Sequence, residues 1–560
     1  MERLTYDRFY DYDALRDLLD GWAGARPELM RVESIGRSWE GREIPLVTLT
    51  AFATGEPLTK PGFLVDGNMH SIEWTGGHAT LHLIDRLLRG HGADERVTRL
   101  LDTRCLYVVP RLNPDGTEHA LREGRFTRST VRPYPSAEPA TGLHVRDIDG
   151  DGRILFMRIP DPNGAFTPHP AEPRLLVARD PDDDRPGPHY RLAVEGEVVG
   201  YDGVTFAEAP AIEGIDLGAN FPGSNDLARG PADGPYPGSE PEIRAYLHAI
   251  AERPNICGYV TCHTFGGIVL HPPAAADEEV PAFDRRVFRR FAEKAEALTG
   301  YRAMSYLDLV YEPGPARSGA FDWLYHRLGV LTWITEFWNP LLAAGIEHGT
   351  FHPSGWLWGV HPVEDELALL RWHDASAQGR AFVDWYPFEH PQLGPVELGG
   401  WDKINAWYNP PFDLLEQEIA PHSDWVIFQL LSTPCLVLGS VEAELVDEGV
   451  YRVRAVVQNA GWLPTNVTEK ALTNGVCGEV LATIELPPGA RLVAGSKEVT
   501  LGQLAGREGQ RSSSTWWSHV PATDDRALAE WVVATPAGSE VTVTFTHPRA
   551  GCAAGSVALG

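Results

Sequence analysis

Along the first four hundred residues, apolar positions fall into two alternating rhythms. Residues 11–19 and 74–88 repeat every three to four positions, the period of an amphipathic helix, whereas 42–49, 63–65, 106–109, 256–261 and 330–335 are short apolar runs of strand length. This βα rhythm predicts an α/β fold with a mixed, mostly parallel sheet flanked by helices. Between residues 129 and 214 it gives way to Pro, Asp and Gly, which predicts a loop-rich insertion with a few short strands such as 197–201. After residue 424 the pattern changes again. Residues 441–446, 451–457, 480–485 and 541–545 alternate every second position between Gly, Pro and Asn turns, as an all-β immunoglobulin-like sandwich would. Pattern thus divides the chain into residues 1–424, interrupted at 129–214, and residues 425–560.

A length of 560 residues exceeds what one compact core holds, and an apolar content of 43% with 17 tryptophans is ample for two. The formal charge of -29 argues against nucleic acid and anionic membrane surfaces, since both are met by clustered Lys and Arg. No apolar stretch is long enough to span a bilayer, and the first residues lack the apolar core of a signal peptide. Six scattered cysteines without Cys-x-x-Cys spacing speak against a cysteine metal site. A reducing cytoplasm is the expected location, and a secreted protein with a trimmed leader would read the same way.

Four segments carry candidate chemistry. The run Phe63-Leu-Val-Asp-Gly-Asn-Met69 ends in His70 and Glu73, an imidazole and a carboxylate three residues apart just before a helix, where both can reach one zinc ion. Alone such a pair is common on helix faces. Asn113-Pro-Asp-Gly116 is a tight turn followed by Arg122, Arg125 and Arg128, fixed positive charges able to meet an oxyanion. Gly258-Tyr-Val-Thr-Cys-His263 brings a second imidazole to a strand's carboxyl end, where open α/β sheets gather ligands, and turns Cys262 to the other face. Leu331-Thr-Trp-Ile-Thr-Glu336 carries one carboxylate on an otherwise apolar strand, suited either to a general base with raised pKa or to a salt bridge.

In this order, with Ser34-Ile-Gly-Arg-Ser-Trp-Glu-Gly-Arg-Glu-Ile44, Gly214-Ile-Asp-Leu, Asn220-Phe-Pro and Tyr236-Pro-Gly-Ser-Glu-Pro-Glu242, the segments resemble the zinc metallocarboxypeptidases of the carboxypeptidase A type over residues 5–400. The resemblance implies a carboxypeptidase-like catalytic domain over 1–424, a peptide substrate and one catalytic Zn2+ held by His70, Glu73 and His263. It implies Glu336 as general base and Arg128 as oxyanion stabiliser, with Arg125 as its companion. It places Tyr311 as the tyrosine that closes over substrate, with Tyr306 as a rival, and Phe321 at the specificity pocket.

One departure bears on the substrate. The family pattern Asp-Leu-Asn-Arg-Asn-Phe holds the substrate's C-terminal carboxylate through its Asn-Arg pair, and here Gly218-Ala219 stands instead. Loss of a charge-assisted contact worth about 1.5–3 kcal/mol leaves three readings. Arg317 or Arg125 anchors the carboxylate; or the substrate is a modified or wall-type peptide without one, cleaved as by an amidase; or the scaffold binds peptides without catalysis. Separately, Asp147, Asp149 and Asp151 begin like a calcium loop but lack its closing Glu, so Ca2+ there competes with a plain Asp/Gly turn.

Overall fold

The computed structural model describes residues 1–559 apart from 184–185, 224–230, 275–278, 310–318, 348–355, 357–360, 377–379 and 510–521. Its centre is an eight-stranded mixed sheet in the order Met30–Arg37, Glu43–Leu49, Cys105–Val109, Gly62–Gly67, Ile256–Thr264, Leu331–Phe337, Ile268–His271, Arg302–Ser305. The middle four strands run parallel. Three of them, Gly62–Gly67, Cys105–Val109 and Ile256–Thr264, are buried at every residue, which is why they read as short continuous apolar runs rather than alternating ones.

Helices cover both faces, and the two-residue period of the strands sorts side chains between them. Phe63, Val65, Val260 and Cys262 pack against the helices Trp74–Gly90, Ala282–Thr299 and Phe412–Ser432. Leu64, Tyr259 and Ile334 pack on the other side against Pro241–Ala251 and Ala320–Leu328. Helix Trp74–Gly90 approaches the sheet closely because Gly76 and Gly77 open it. A Cβ on Gly76 would lie 2.3 Å from the Cys262 carbonyl oxygen, and one on Gly77 would lie 2.0 Å from Asn68 Oδ1. That contact brings the N-terminus of the helix to the carboxyl ends of the parallel strands.

Residues 142–199 contribute more strand than their composition suggests. Gly142–Val145 pairs with Gly196–Val199, while Phe156–Pro160, Phe166–His169, Glu172–Ala178 and Tyr190–Val194 join Phe382–His390 and Gly394–Trp401 in a six-stranded antiparallel sheet. Helix Phe412–Ser432 runs unbroken through residue 424. The C-terminal region is two four-stranded antiparallel sheets around one core of Tyr451, Val453, Trp531, Val541 and Phe545. All six cysteines are free thiols. Among the described residues, no helix is long and apolar enough to cross a membrane.

The sandwich is fastened to the α/β core by buried polar contacts. The guanidinium of Arg549 donates to the carbonyls of Leu328 and, at 3.1 Å, Gly329, which also accepts from Thr468 Oγ1 at 2.7 Å. Asp284 accepts from the backbone N–H groups of Glu469 and Lys470 at 2.7 and 3.1 Å. Burial depresses the pKa of Arg549, and carbonyl dipoles are what hold its charge there. Arg549→Met should remove these charge-assisted bonds and cost about 2–3 kcal/mol, measured as a lower urea midpoint. An unchanged midpoint would mean that apolar contact alone seats the sandwich.

Candidate metal centre

His70 follows the parallel strand Gly62–Gly67, Glu73 stands at the N-cap of helix Trp74–Gly90, and His263 lies near the end of Ile256–Thr264. The three are buried, and one ligand atom from each lies within 4.8 Å of the others. His70 Nδ1 is 2.9 Å from Glu73 Oε1 and His263 Nδ1 is 2.8 Å from Glu73 Oε2. The two Nδ1 atoms face each other at 3.0 Å. Two imidazole nitrogens aimed at one point beside a carboxylate are satisfied by a shared proton or by a cation.

The outer nitrogen of each ring is taken. His70 Nε2 lies 3.2 Å from Asp216 Oδ1, and His263 Nε2 lies 2.8 Å from Thr261 Oγ1, whose hydroxyl donates at 2.6 Å to the buried carboxylate of Asp66. Tyr246 and Tyr259 donate to the same carboxylate at 2.6 Å. Such partners fix ring orientation and leave Nδ1 free for a metal. The set of two imidazoles and one carboxylate fits zinc with an open position.

Arg128 joins the charges around this point. Its guanidinium is half exposed and lies 3.2 Å from Glu73 Oε1 and 3.1 Å from Asp216 Oδ2. Burial raises the pKa of Glu73, but His70 and His263 outweigh it and hold the carboxyl well below its usual range. Asp216 is likewise held low against burial by Arg128 and His70. Glu336 behaves oppositely. It is the register partner of His263 on the adjacent parallel strand, and burial pushes its carboxyl up to about 7, with Glu73 adding and His263 and Arg128 opposing.

The other expected residues fall in different places. Phe321 is buried, with its ring 5.8 Å from that of Tyr306, and Gly319 brings the chain beside it and the Gly218 carbonyl. Tyr306 is close enough to the centre for Glu336 and Arg128 to act on its hydroxyl, although burial is the larger cause of its raised pKa. Arg125 is engaged by Glu213 and lies 3.3 Å from His119 Nδ1. Tyr311 and Arg317 lie outside the described residues. At Gly218 the backbone N–H donates to Asp216 Oδ1 at 2.8 Å, and a Cβ would sit 3.1 Å from that oxygen and 3.6 Å from His70 Nε2. The Asp147, Asp149 and Asp151 carboxylates also cluster within 4.8 Å, but they are spent on the backbone N–H groups of Gly150, Asp151, Gly152 and Arg153, and nothing beyond proximity points to Ca2+.

Two contributors escaped the sequence reading. Tyr408 stands edge-on to Phe265 and Phe126 at 5.1 and 5.6 Å, and burial with the Glu73 and Glu336 charges pushes its hydroxyl up to about 12 against Arg128. Asn409 is bonded to the Glu73 turn. Neither lies in a recognisable motif. Asp216, by contrast, stood inside a motif already singled out.

The sequence matches the zinc carboxypeptidase family over residues 15–340, and residues 435–558 match a family described as a domain of unknown function (DUF8731). The chain belongs to the zinc carboxypeptidase family, a class of metal-dependent hydrolases of peptide bonds. It is 28% identical over 127 residues to carboxypeptidase B of Astacus astacus, covering 23% of this chain and 40% of that one. It is 21% identical over 330 residues to carboxypeptidase A1 of Bos taurus, covering 58% of this chain and 61% of that one. It thus spans less than two thirds of either relative. Among solved structures it is similar to carboxypeptidase A from Helicoverpa armigera, with TM-score 0.39, 19% identity and coverage of 67% of this chain and 76% of that one. It is also similar to a metallo-carboxypeptidase from Burkholderia cenocepacia, with TM-score 0.34, 16% identity and coverage of 59% and 61%.

The outer hydrogen bond at His70 yields a prediction. Asp216→Asn keeps the shape but weakens the acceptor, and zinc affinity should fall about 10–100-fold, read by chelator competition. Affinity equal to wild type would show that His70 needs no such partner.

Proposed function

We propose that this chain is a zinc-dependent peptidase that removes C-terminal residues from peptides, with Glu336 as its general base. The observation that carries this reading is the convergence of His70, Glu73 and His263 on one point, with Glu336 paired to His263 across two parallel strands. When bound there, zinc supplies a Lewis acid that polarises a carbonyl and makes water more acidic. The chain's own residues do the rest. The Glu336 carboxylate accepts the proton of the attacking water and passes it to the nitrogen of the leaving amine. The half-exposed Arg128 guanidinium donates to the carbonyl oxygen as negative charge develops on it. Phe321 is buried and apolar at the position the family resemblance assigns to the specificity pocket, which favours uncharged side chains over basic ones.

A second reading rests on Gly218. The space between His70, Asp216 and Gly319 holds backbone where the family's carboxylate anchor would stand, and Arg125 is held by Glu213. This favours peptides lacking a free α-carboxylate at that position, cleaved by the same groups acting as an amidase.

Two measurements test these readings. Purified protein should carry about one zinc per chain, and Glu336→Gln should lower kcat about 10²–10⁴-fold with zinc retained. Zinc without Glu336-dependent turnover would turn the site into a peptide-binding one. Matched peptides ending in a free acid or in an amide then separate the substrates. Preferential cleavage of free acids would establish an anchor elsewhere than Gly218-Ala219, and preferential cleavage of amides would establish the amidase reading.

A further inference from the structure

The ligand-bearing helix begins with a conflict. Glu73 is the N-cap of Trp74–Gly90, the position whose side chain ordinarily accepts from the first free backbone N–H groups. Its carboxylate instead faces His70, His263 and Arg128 and makes no capping bond. A helix end buried without partners is unstable, so another acceptor must serve.

That acceptor comes from far along the chain. Asn409 Oδ1 accepts from the Thr75 backbone N–H at 3.0 Å and from its hydroxyl at 2.9 Å. Asn409 Nδ2 donates to the carbonyls of Ile72 at 2.8 Å and Ile404 at 3.2 Å. A backbone N–H only donates and a carbonyl only accepts, so the amide has one orientation, and all its hydrogen-bonding capacity is used. The side chain is 1% exposed. It grips the backbone on both sides of Glu73. Asn409 lies outside residues 15–340 and 435–558, beyond both family matches.

We infer that Asn409 is a positioning residue for the metal centre, a cap supplied from a distant segment that fixes the backbone of Glu73 and so releases its carboxylate for zinc. This rests on the zinc reading above. The same segment carries Tyr408, whose ring packs edge-on against Phe265 and Phe126.

The experiment measures zinc dissociation constants by chelator competition on the full chain, with urea midpoints of the metal-free forms alongside. Asn409→Ala should weaken zinc about 10–100-fold, as loss of outer partners of a metal ligand does. Asn409→Asp, which still accepts from Thr75 but cannot donate to Ile72, should fall between it and wild type, and it serves alone if the alanine variant does not fold. Asn459→Ala removes an equally buried amide in the sandwich, bonded to the carbonyls of Leu463 and Ala505, and should lower the urea midpoint while leaving zinc affinity unchanged. Zinc affinity within twofold of wild type in both Asn409 variants would overturn the inference, as would equal weakening in Asn459→Ala. A wild-type chain that binds no zinc would overturn the metal reading, and this role with it.

Discussion

Everything at the functional end of this protein depends on one electrostatic constraint: two imidazole nitrogens and a carboxylate are held together where water cannot separate them. His70 and His263 present Nδ1 atoms 3.0 Å apart, an arrangement that repels unless a proton or a cation lies between them. The surroundings are built to withstand that repulsion. Asp216 and the Asp66–Thr261 pair bind the far side of each ring, and Arg128 balances the added negative charge. The parallel strands deliver the rings to one end of the sheet, and Gly76 and Gly77 let the helix bring in the carboxylate. Packing and charge thus answer the same requirement.

The same constraint explains the division of labour between the acids. Glu73 and Glu336 belong to one small volume, yet opposite influences dominate them. Glu73 faces His70 and His263, which hold its carboxyl low against burial, and it stays ionised. Glu336 is governed by burial and by repulsion from Glu73, which makes it a better proton acceptor. Two carboxylates whose environments pull their proton affinities apart can divide the work between them, the ionised one facing a cation and the other exchanging a proton.

Much of this was legible in the sequence because it is local. His70 and Glu73 are three residues apart, and the strands before His263 and Glu336 are continuous apolar runs. Their placement at strand ends follows from rules about parallel sheets. The six-stranded sheet was not legible, because Phe156–Pro160 pairs with Gly394–Trp401 more than two hundred residues away and its short strands show no clean alternation. Asn409 was hidden for a related reason. Its partners, Ile72 and Thr75, are more than three hundred residues distant, and an asparagine before two prolines reads as an ordinary turn. Pattern reports what neighbours in sequence do together, and these contacts are made between strangers.

The socket around Arg549 has a consequence for how such chains could be recombined. The carbonyls of Leu328 and Gly329 end the helix Ala320–Leu328, just before the strand Leu331–Phe337 that carries Glu336. The C-terminal sandwich is therefore keyed to the root of the strand that carries Glu336. A transplanted module would have to bring a cation to the same two carbonyls, and an α/β unit expressed without its sandwich would expose a pair of acceptors at the foot of the Glu336 strand. Modularity here stops at that key.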